Sequence, residues 1–523
     1  VGRSEEMLAL AEPGAERIDL GGRTVLPGLN DTHTHVSGPA ESEYRGEMYV
    51  PGSVEELLAH IEHSVKTLPA GEWLWFRYTY PLRLAELRYP TKEELDHVAP
   101  EHPVLVDGAY SGQANSCALR LAGITKDTPQ PEAGEIVKDP RTGEPTGMLL
   151  RSQHLVSRFC PQPAPLTRAE RAEAVFEMLR RYNQAGLTSV TEGLTTPASL
   201  DAYADLLAQG RLTARLTYSA CPDLAGSEAE IAGQVLALAK AVRTPDDWGK
   251  LRFLKAWVDG GILTGTAYMR EGYGATGPAA RRMFGHSDPG YRGVVLHAPA
   301  TYAKAGRVAL KLGLQMTAHC IGDAAHDVLF EGYRQVDAAT PIAGRRWSTF
   351  HGDFLPPETL AFAAEKQLVV FSQMAWFYKD AAALAQVLSP AALASFYPFR
   401  TMEELGIVAA GGSDHMVKWD PVRSVNPYSP WLALYSLVTR RTAQGTAIHP
   451  EQRLSRAAAL RHYTSNAAYA TFTESRKGSL EPGKLADLIV LDRDYLTCPE
   501  EEIREIRVLL TMVGGRVVWR REA

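Results

Sequence analysis

Eight short β-rich runs alternate with amphipathic stretches along this chain, and that alternation narrows its folds more than any other feature. The runs cover residues 24–35, 188–193, 214–221, 251–260, 314–319, 348–353, 368–373 and 407–414. Between them lie segments such as 168–185, 228–242, 302–312 and 356–365, which alternate apolar and polar faces. Strand alternating with helix predicts a parallel sheet, because parallel neighbours need a crossover connection. Eight such units predict closure into a (β/α)8 barrel of the TIM type, an α/β fold.

One interval breaks the rhythm. Residues 37–166 hold their own strand-like runs at 73–80 and 104–106, several prolines and a turn-rich stretch at 139–147. Loops that follow barrel strands project over the mouth, so this interval is expected to form an inserted subdomain there. The two ends resemble each other more than the middle. Residues 18–26 form a β-type run broken by Gly21-Gly22, and 485–491 and 508–519 are strand-like runs parted by turns. The expected organisation is a small β-sandwich domain from residues 1–26 and 476–523 flanking a barrel at 27–475. The chain opens at Val1 without a Met, and strands of the small domain are expected upstream of it. No internal repeat or low-complexity tract is visible.

Composition excludes several classes. Apolar residues make up 45% and charged residues 22% of 523 positions, the balance of a globular chain. A formal charge of −6 over that length gives no reason to expect nucleic acid or an anionic membrane as partner. No apolar run reaches the roughly 18 residues of a membrane-spanning helix. Five scattered cysteines fit a reducing compartment, so the cytoplasm is the expected location. The expected partner is a small-molecule substrate, and a homo-oligomer leaves no mark either way.

The strongest local signal is Pro27-Gly28-Leu29-Asn30-Asp31-Thr32-His33-Thr34-His35. In a strand, residues i and i+2 point to one side, so His33 and His35 can offer two imidazoles to one ion. Taken alone, His-x-His serves packing equally well. Four further residues change the weight of the pair. His319, His351 and Asp414 fall at the ends of the fifth, sixth and eighth runs, and Lys255 on the fourth. The C-terminal ends of parallel barrel strands converge on one mouth, where such barrels keep their chemistry. Imidazoles and a carboxylate suit Zn²⁺ and similar divalent ions. Lys255 either pairs with an acid such as Asp259 or, buried and neutral, takes up carbon dioxide to form a carbamate that bridges two metals.

These stretches resemble the amidohydrolase superfamily and, within it, the branch related to N-substituted formamide deformylase. The similarity runs through Asp19-Leu20-Gly21-Gly22 to His35, Lys255-Ala256-Trp257-Val258-Asp259-Gly260 and His319-Cys320-Ile321-Gly322-Asp323. It continues through Phe350-His351-Gly352, Gly412-Ser413-Asp414 and the stretch from Gly478 to Asp487. The resemblance implies a mononuclear or binuclear zinc-type centre. His33, His35 and Asp414 would hold one ion, His319 and His351 the other, and a carboxylated Lys255 would bridge them. It also implies hydrolysis of an amide or N-formyl carbon–nitrogen bond by metal-activated water, with Asp414 as the catalytic proton carrier. Asp259 and Asp323 are candidates to orient ligands from behind, or ordinary structural residues. Two departures stand out. Relatives begin with further strands before the segment matching Val1-Gly2-Arg3, and the Asp107–Asn115 stretch reads Gly-Ala-Tyr-Ser-Gly-Gln where some relatives place a histidine.

Other readings remain open at this stage. The same barrel could open a lactone or ester, or deaminate a ring, and a catalytically silent metabolite-binding barrel would keep the motif without turnover. Gly272 to Gly277 matches G-x-G-x-x-G but follows a loop, and Gly478 to Lys484 lacks the Ser or Thr of a phosphate loop, so neither predicts a nucleotide. His286, His297, His326 and His449 have no strand-end placement. Trp376, Phe377 and Tyr378 are candidates for an apolar pocket wall or for core packing.

Overall fold

All eight runs become strands of one parallel sheet in the computed structural model, which describes residues 2 and 4–522 apart from 277–279, 282, 284 and 287. The strands are β1 (Leu29–Thr34), β2 (Leu187–Glu192), β3 (Arg215–Ala220), β4 (Gly249–Trp257), β5 (Gln315–Cys320), β6 (Ser348–His351), β7 (Val369–Ser372) and β8 (Val408–Gly411). They pair in sequence order. The edges β1 and β8 meet where the Ser413 and Asp414 N–H groups donate to His33 O and the His35 N–H donates to His415 O. Every residue of β1, β2 and β5 is buried, as expected when one face lines a barrel and the other lies under helices.

The connecting helices are α1 (Arg168–Ala185), α2 (Pro197–Ala208), α3 (Glu228–Ala241), α4 (Pro299–Leu312), α5 (Asp323–Asp337), α6 (Pro357–Glu365) and α7 (Met374–Val387). Local chemistry sets their ends. Thr167 and Glu170 form a capping box on α1, and Gly186 closes it in the left-handed region at φ 95°. Helix α4 starts three residues before the apolar pattern indicates, because Pro299 supplies a preset φ at its first turn.

Four runs differ from the sequence expectation by more than one residue, and of these β4 and β8 each stop three residues early, at Trp257 and Gly411. The run at 24–35 divides at Gly28: Val25–Pro27 pairs antiparallel with Leu488–Leu491, whereas β1 enters the barrel. A Cβ at Gly28 would lie 2.3 Å from Thr188 Oγ1, so only glycine fits this crossing. Strand β6 stops at His351 rather than at residue 353, since His351 (φ 82°) and Gly352 (φ 55°) leave the extended region.

Two further sheets flank the barrel. Val25–Pro27, Leu488–Leu491, Val508–Val513 and Arg516–Arg520 form a four-stranded antiparallel sheet joining both ends of the chain. Residues 18–23 stay out of it, because Gly21 and Gly22 take positive φ and the Gly21 N–H donates to Asp19 Oδ1. The segment between β1 and α1 builds a five-stranded sheet ordered Leu74–Arg77, Val104–Asp107, Ser111–Ala114, Pro145–Leu150, Glu135–Lys138. Among the described residues no helix is long and apolar enough to cross a membrane. Val1 and Arg3 at the chain's opening, and Gly277 of the glycine-rich match, lie outside the described residues.

Candidate metal centre

The site starts with alternation along strands. On β4, Phe253 and Lys255 share a face, and Phe253 packs with Phe350 and Phe371 in one buried cluster. Lys255 therefore points to the side of that aromatic cluster, one layer nearer the strand's C-terminal end. His33 on β1 reaches the same layer, with its ring stacked on Phe350 at 4.3 Å. For His351, alternation would turn the side chain away from Phe350. Its left-handed backbone re-aims it, and its ring centroid lies 5.1 Å from that of His33 and 4.3 Å from that of His319. Asp414 also has positive φ (49°), held where the Asn426 amide donates to its carbonyl at 2.6 Å. Two non-glycine residues in this sparsely populated region, side by side in one site, mark a local geometry imposed by the surrounding structure.

Distances bring all six sequence-selected residues into one group. His33 Nε2 and His35 Nε2 lie 3.3 and 3.1 Å from the same atom, Asp414 Oδ1. Ligand atoms of these three residues fall within 4.8 Å of one another. Lys255 Nζ is 2.9 Å from His33 Nε2. The alternative pairing with Asp259 is not what forms. Asp259 instead accepts the backbone N–H groups of Tyr268, Ile321 and Gly322, joining the loops after β4 and β5 beside His319. Asp323 accepts the Arg270 N–H, a loop contact at the start of α5.

The electrostatics favour neutral nitrogens. Burial, then the charge of Lys255 and the neighbouring imidazoles, holds His33 well below the usual histidine range. Burial does the same to His319, and lowers His351 to about 4. Burial also lowers Lys255. For Asp414, burial pushes the carboxyl up, but the His35 hydrogen bond and the charges of His35, His351 and Lys255 prevail and leave it below its ordinary value. Neutral imidazoles beside an ionised carboxylate are the protonation states that a divalent cation requires.

Hydrogen bonds also select which nitrogens stay free. His351 Nδ1 donates to Gln373 Oε1 at 2.8 Å, leaving Nε2 with a lone pair. That Nε2 is buried without a hydrogen-bond partner among the described residues. His319 Nε2 donates to Gly260 O at 3.1 Å, which leaves Nδ1 facing the Tyr110 hydroxyl at 3.4 Å. A buried imidazole nitrogen with a free lone pair costs free energy unless something binds there. The donor set therefore fits a divalent metal ion: nitrogen and oxygen ligands, neutral histidines, and backing hydrogen bonds that fix their tautomers.

Several contributors were not picked out from the sequence. Gln373 closes the seventh run, one strand along from His351. Tyr110 and Arg151 come from the inserted sheet, where no periodicity points at the barrel. Glu192 ends β2, buried beside His35, with Tyr203 donating to its Oε2 and its Oε1 without a partner among the described residues. Trp376 stacks on His351 at 5.2 Å and so serves as a wall of the site, whereas Phe377 is wholly buried against Arg440 in the core. Three of the histidines without strand-end placement have structural partners: His326 bonds Gly322 O and Thr349, His286 meets Glu135, and His449 meets Glu451. Lys484 Nζ bonds Ser479 and Glu481, so the loop at Gly478 to Lys484 satisfies itself.

Comparison with known proteins matches residues 16–519 to the profile of the amidohydrolase family. The N-substituted formamide deformylase of Arthrobacter pascens is 29% identical, over 100% of this chain and 93% of its own. Two solved structures, uncharacterised metal-dependent hydrolases from Pyrococcus furiosus and Pyrococcus horikoshii, superpose with TM-scores of 0.63 and 0.64 at 21% and 20% identity. Each covers 95% of this chain, and the alignments span 93% and 91% of theirs. At that identity the likeness is one of fold.

Proposed function

The chain belongs to the amidohydrolase family, a metal-dependent hydrolase acting on carbon–nitrogen bonds, and from that premise we propose that it cleaves an amide or N-formyl bond to release a carboxylic acid and an amine. The observation that carries the reading is the convergence of His33, His35 and Asp414 on one point, with Lys255, His319 and His351 packed around it.

His33, His35 and Asp414 would hold one ion, His319 and His351 a second, with Lys255 between them as a carbamate. A bound Zn²⁺-type ion supplies Lewis acidity toward water and toward a carbonyl oxygen. The chain's own residues do the rest. Asp414 Oδ1 faces His33 and His35, and Oδ2, which accepts only a long contact from the Asn426 amide at 3.5 Å, is the oxygen to take a proton from the attacking water. The same carboxyl then returns that proton to the leaving nitrogen, which departs as a neutral amine. Burial lowers the pKa of Lys255, which favours the neutral amine that carbon dioxide reacts with. Gln373 and Gly260 hold the imidazoles of His351 and His319 in the tautomers that leave a lone pair toward the centre. Trp376 excludes water on one side of His351. The five free cysteines agree with a reducing cytoplasm.

The test is metal content per chain by plasma mass spectrometry with turnover of N-formyl and N-acyl amines, on wild type, Lys255→Ala and Asp414→Asn. About two ions per chain, falling in the lysine variant, are expected of a bridged centre. Asp414→Asn should lower kcat by about 10²- to 10⁴-fold. A folded protein that binds no metal would overturn the reading. Release of ammonia rather than an amine and an acid would move it to a deaminase.

A further inference from the structure

Buried arginines in this protein usually have their partners built in. Arg83 forms a two-point pair with Asp380 at 2.8 Å. Arg215 does the same with Asp487 at 2.7 and 2.9 Å. Arg440 is spent on the carbonyl oxygens of Phe396, Tyr397 and Ile448. Arg151 is different. It is partly buried, burial lowers its pKa, and none of its guanidinium nitrogens has a hydrogen bond or ion pair among the described residues. Its guanidinium lies over the face of Tyr110, with Cζ 5.0 Å from the ring centroid. A cation–π contact neutralises no charge and leaves the planar edge of the guanidinium open.

That open edge stands beside the metal centre. The Tyr110 ring that carries Arg151 is itself 5.2 Å from the His319 ring, and its hydroxyl is 3.4 Å from His319 Nδ1. Arg151 is thus no farther from His319 than those two steps. It also lies near enough to act on the charges of His319, Asp259, Tyr302 and His297, which face it from β5, the loops after β4 and the start of α4. Asp259, an acid whose charge acts on Arg151, is committed to three backbone N–H groups and makes no ion pair with it.

The backbone holds the side chain in place. Arg151 has φ 52°, the left-handed region that a long side chain rarely takes, and its N–H donates to Tyr110 O at 2.8 Å. Ala109 is left-handed as well (φ 69°), and the Gln153 amide donates to its carbonyl. Positive φ at Ala109 and Arg151 is backbone that the surrounding hydrogen bonds impose.

We propose that Arg151, presented on Tyr110, binds a carboxylate or similar planar anion of the substrate, so that the preferred substrates are N-acylated amines bearing an anionic group close to the scissile bond. The proposal rests on the carbon–nitrogen hydrolysis inferred above. A guanidinium matches a carboxylate through two parallel N–H···O bonds, and a site already stripped of water strengthens them.

The experiment compares N-formylglycine with N-formylglycinamide, identical but for the charge, as substrates of the metal-loaded enzyme. Wild type should favour the carboxylate in kcat/KM by roughly 10- to 100-fold, the range of charge-assisted hydrogen bonds. In Arg151→Met the ratio should collapse toward one, chiefly through KM. Arg151→Lys, which keeps the charge but not the two-point geometry, should fall between and serves if the methionine variant does not fold. Equal use of both substrates by wild type, or an unchanged ratio in the folded variants, would overturn the proposal. Direct calorimetric binding of N-acetylglycine against N-acetylglycinamide gives an arm that needs no turnover. If neither formyl compound is cleaved but N-acetylglycine alone binds, and loses binding in Arg151→Met, the hydrolysis reading fails while the anion site stands. If both fail to bind, the anion site falls.

Discussion

His351 shows how far a single residue depends on what lies behind it. Its Nε2 is a free lone pair because Nδ1 donates to Gln373. Replacing Gln373 with Leu removes that acceptor, lets the tautomer and ring rotate, and should weaken metal affinity about 10- to 100-fold. Titration against a competing chelator measures this, and an unchanged affinity would show that Gln373 does not support the ligand. Asp31 works similarly for the neighbouring strand. Its Oδ1 accepts the N–H groups of His33 and Ser413, both at 3.0 Å, and so aligns the residues that precede His35 and Asp414.

Strand ends, rather than strand middles, set the spacing of the site. Gly193 follows β2, and a Cβ there would come 2.9 Å from His33 Cδ2 and 3.1 Å from His35 Cε1. Its N–H donates to Thr34 O, so the backbone cannot retreat. Gly193→Ala should therefore displace both imidazoles, lowering kcat/KM by about 10²-fold while leaving the circular dichroism of the barrel intact. An alanine variant with wild-type turnover would mean that the rings have room to move. Gly412, at the end of β8, has the same role: a Cβ would lie 2.7 Å from His33 N.

Across the whole molecule, the barrel and the terminal sheet are tied by charge. Arg215 on β3 holds Asp487 in a buried pair just before Leu488–Leu491. Asp487→Ala leaves the arginine charged and unpaired, and should cost about 3–5 kcal/mol of stability, read from denaturant unfolding. A loss under about 1 kcal/mol, the value of an exposed pair, would place the tie in water. Acid should loosen the fold through His462, which burial lowers from 6.5 to about 3 and whose Nδ1 has no partner among the described residues. Its folded pKa is depressed, so the neutral form is favoured above pH 6.5 at no cost. As pH falls from there toward 3, the unfolded chain binds a proton that the folded chain refuses. Relative to His462→Leu, wild-type stability should thus drop by about 1.4 kcal/mol per pH unit in that window. A difference independent of pH would show that His462 titrates normally.

The amino-acid sequence by itself determined the eight-unit barrel and the six residues grouped in its mouth. Hydrophobic patterning sets elements, and in a parallel barrel the end of each strand has one place to go. His33, His35, Lys255, His319, His351 and Asp414 are legible for that reason: each sits at or near the end of a run whose direction is already known. Tertiary structure alone decided the rest. Tyr110 and Arg151 reach His319 from an inserted sheet whose docking no local pattern encodes. Gln373 becomes a partner of His351 only because β6 and β7 lie side by side. The left-handed turns at His351 and Asp414 override the alternation that would have pointed His351 elsewhere. Spacing along the chain fixes which face a side chain occupies, whereas hydrogen bonds between distant segments fix which atom of it is free to react.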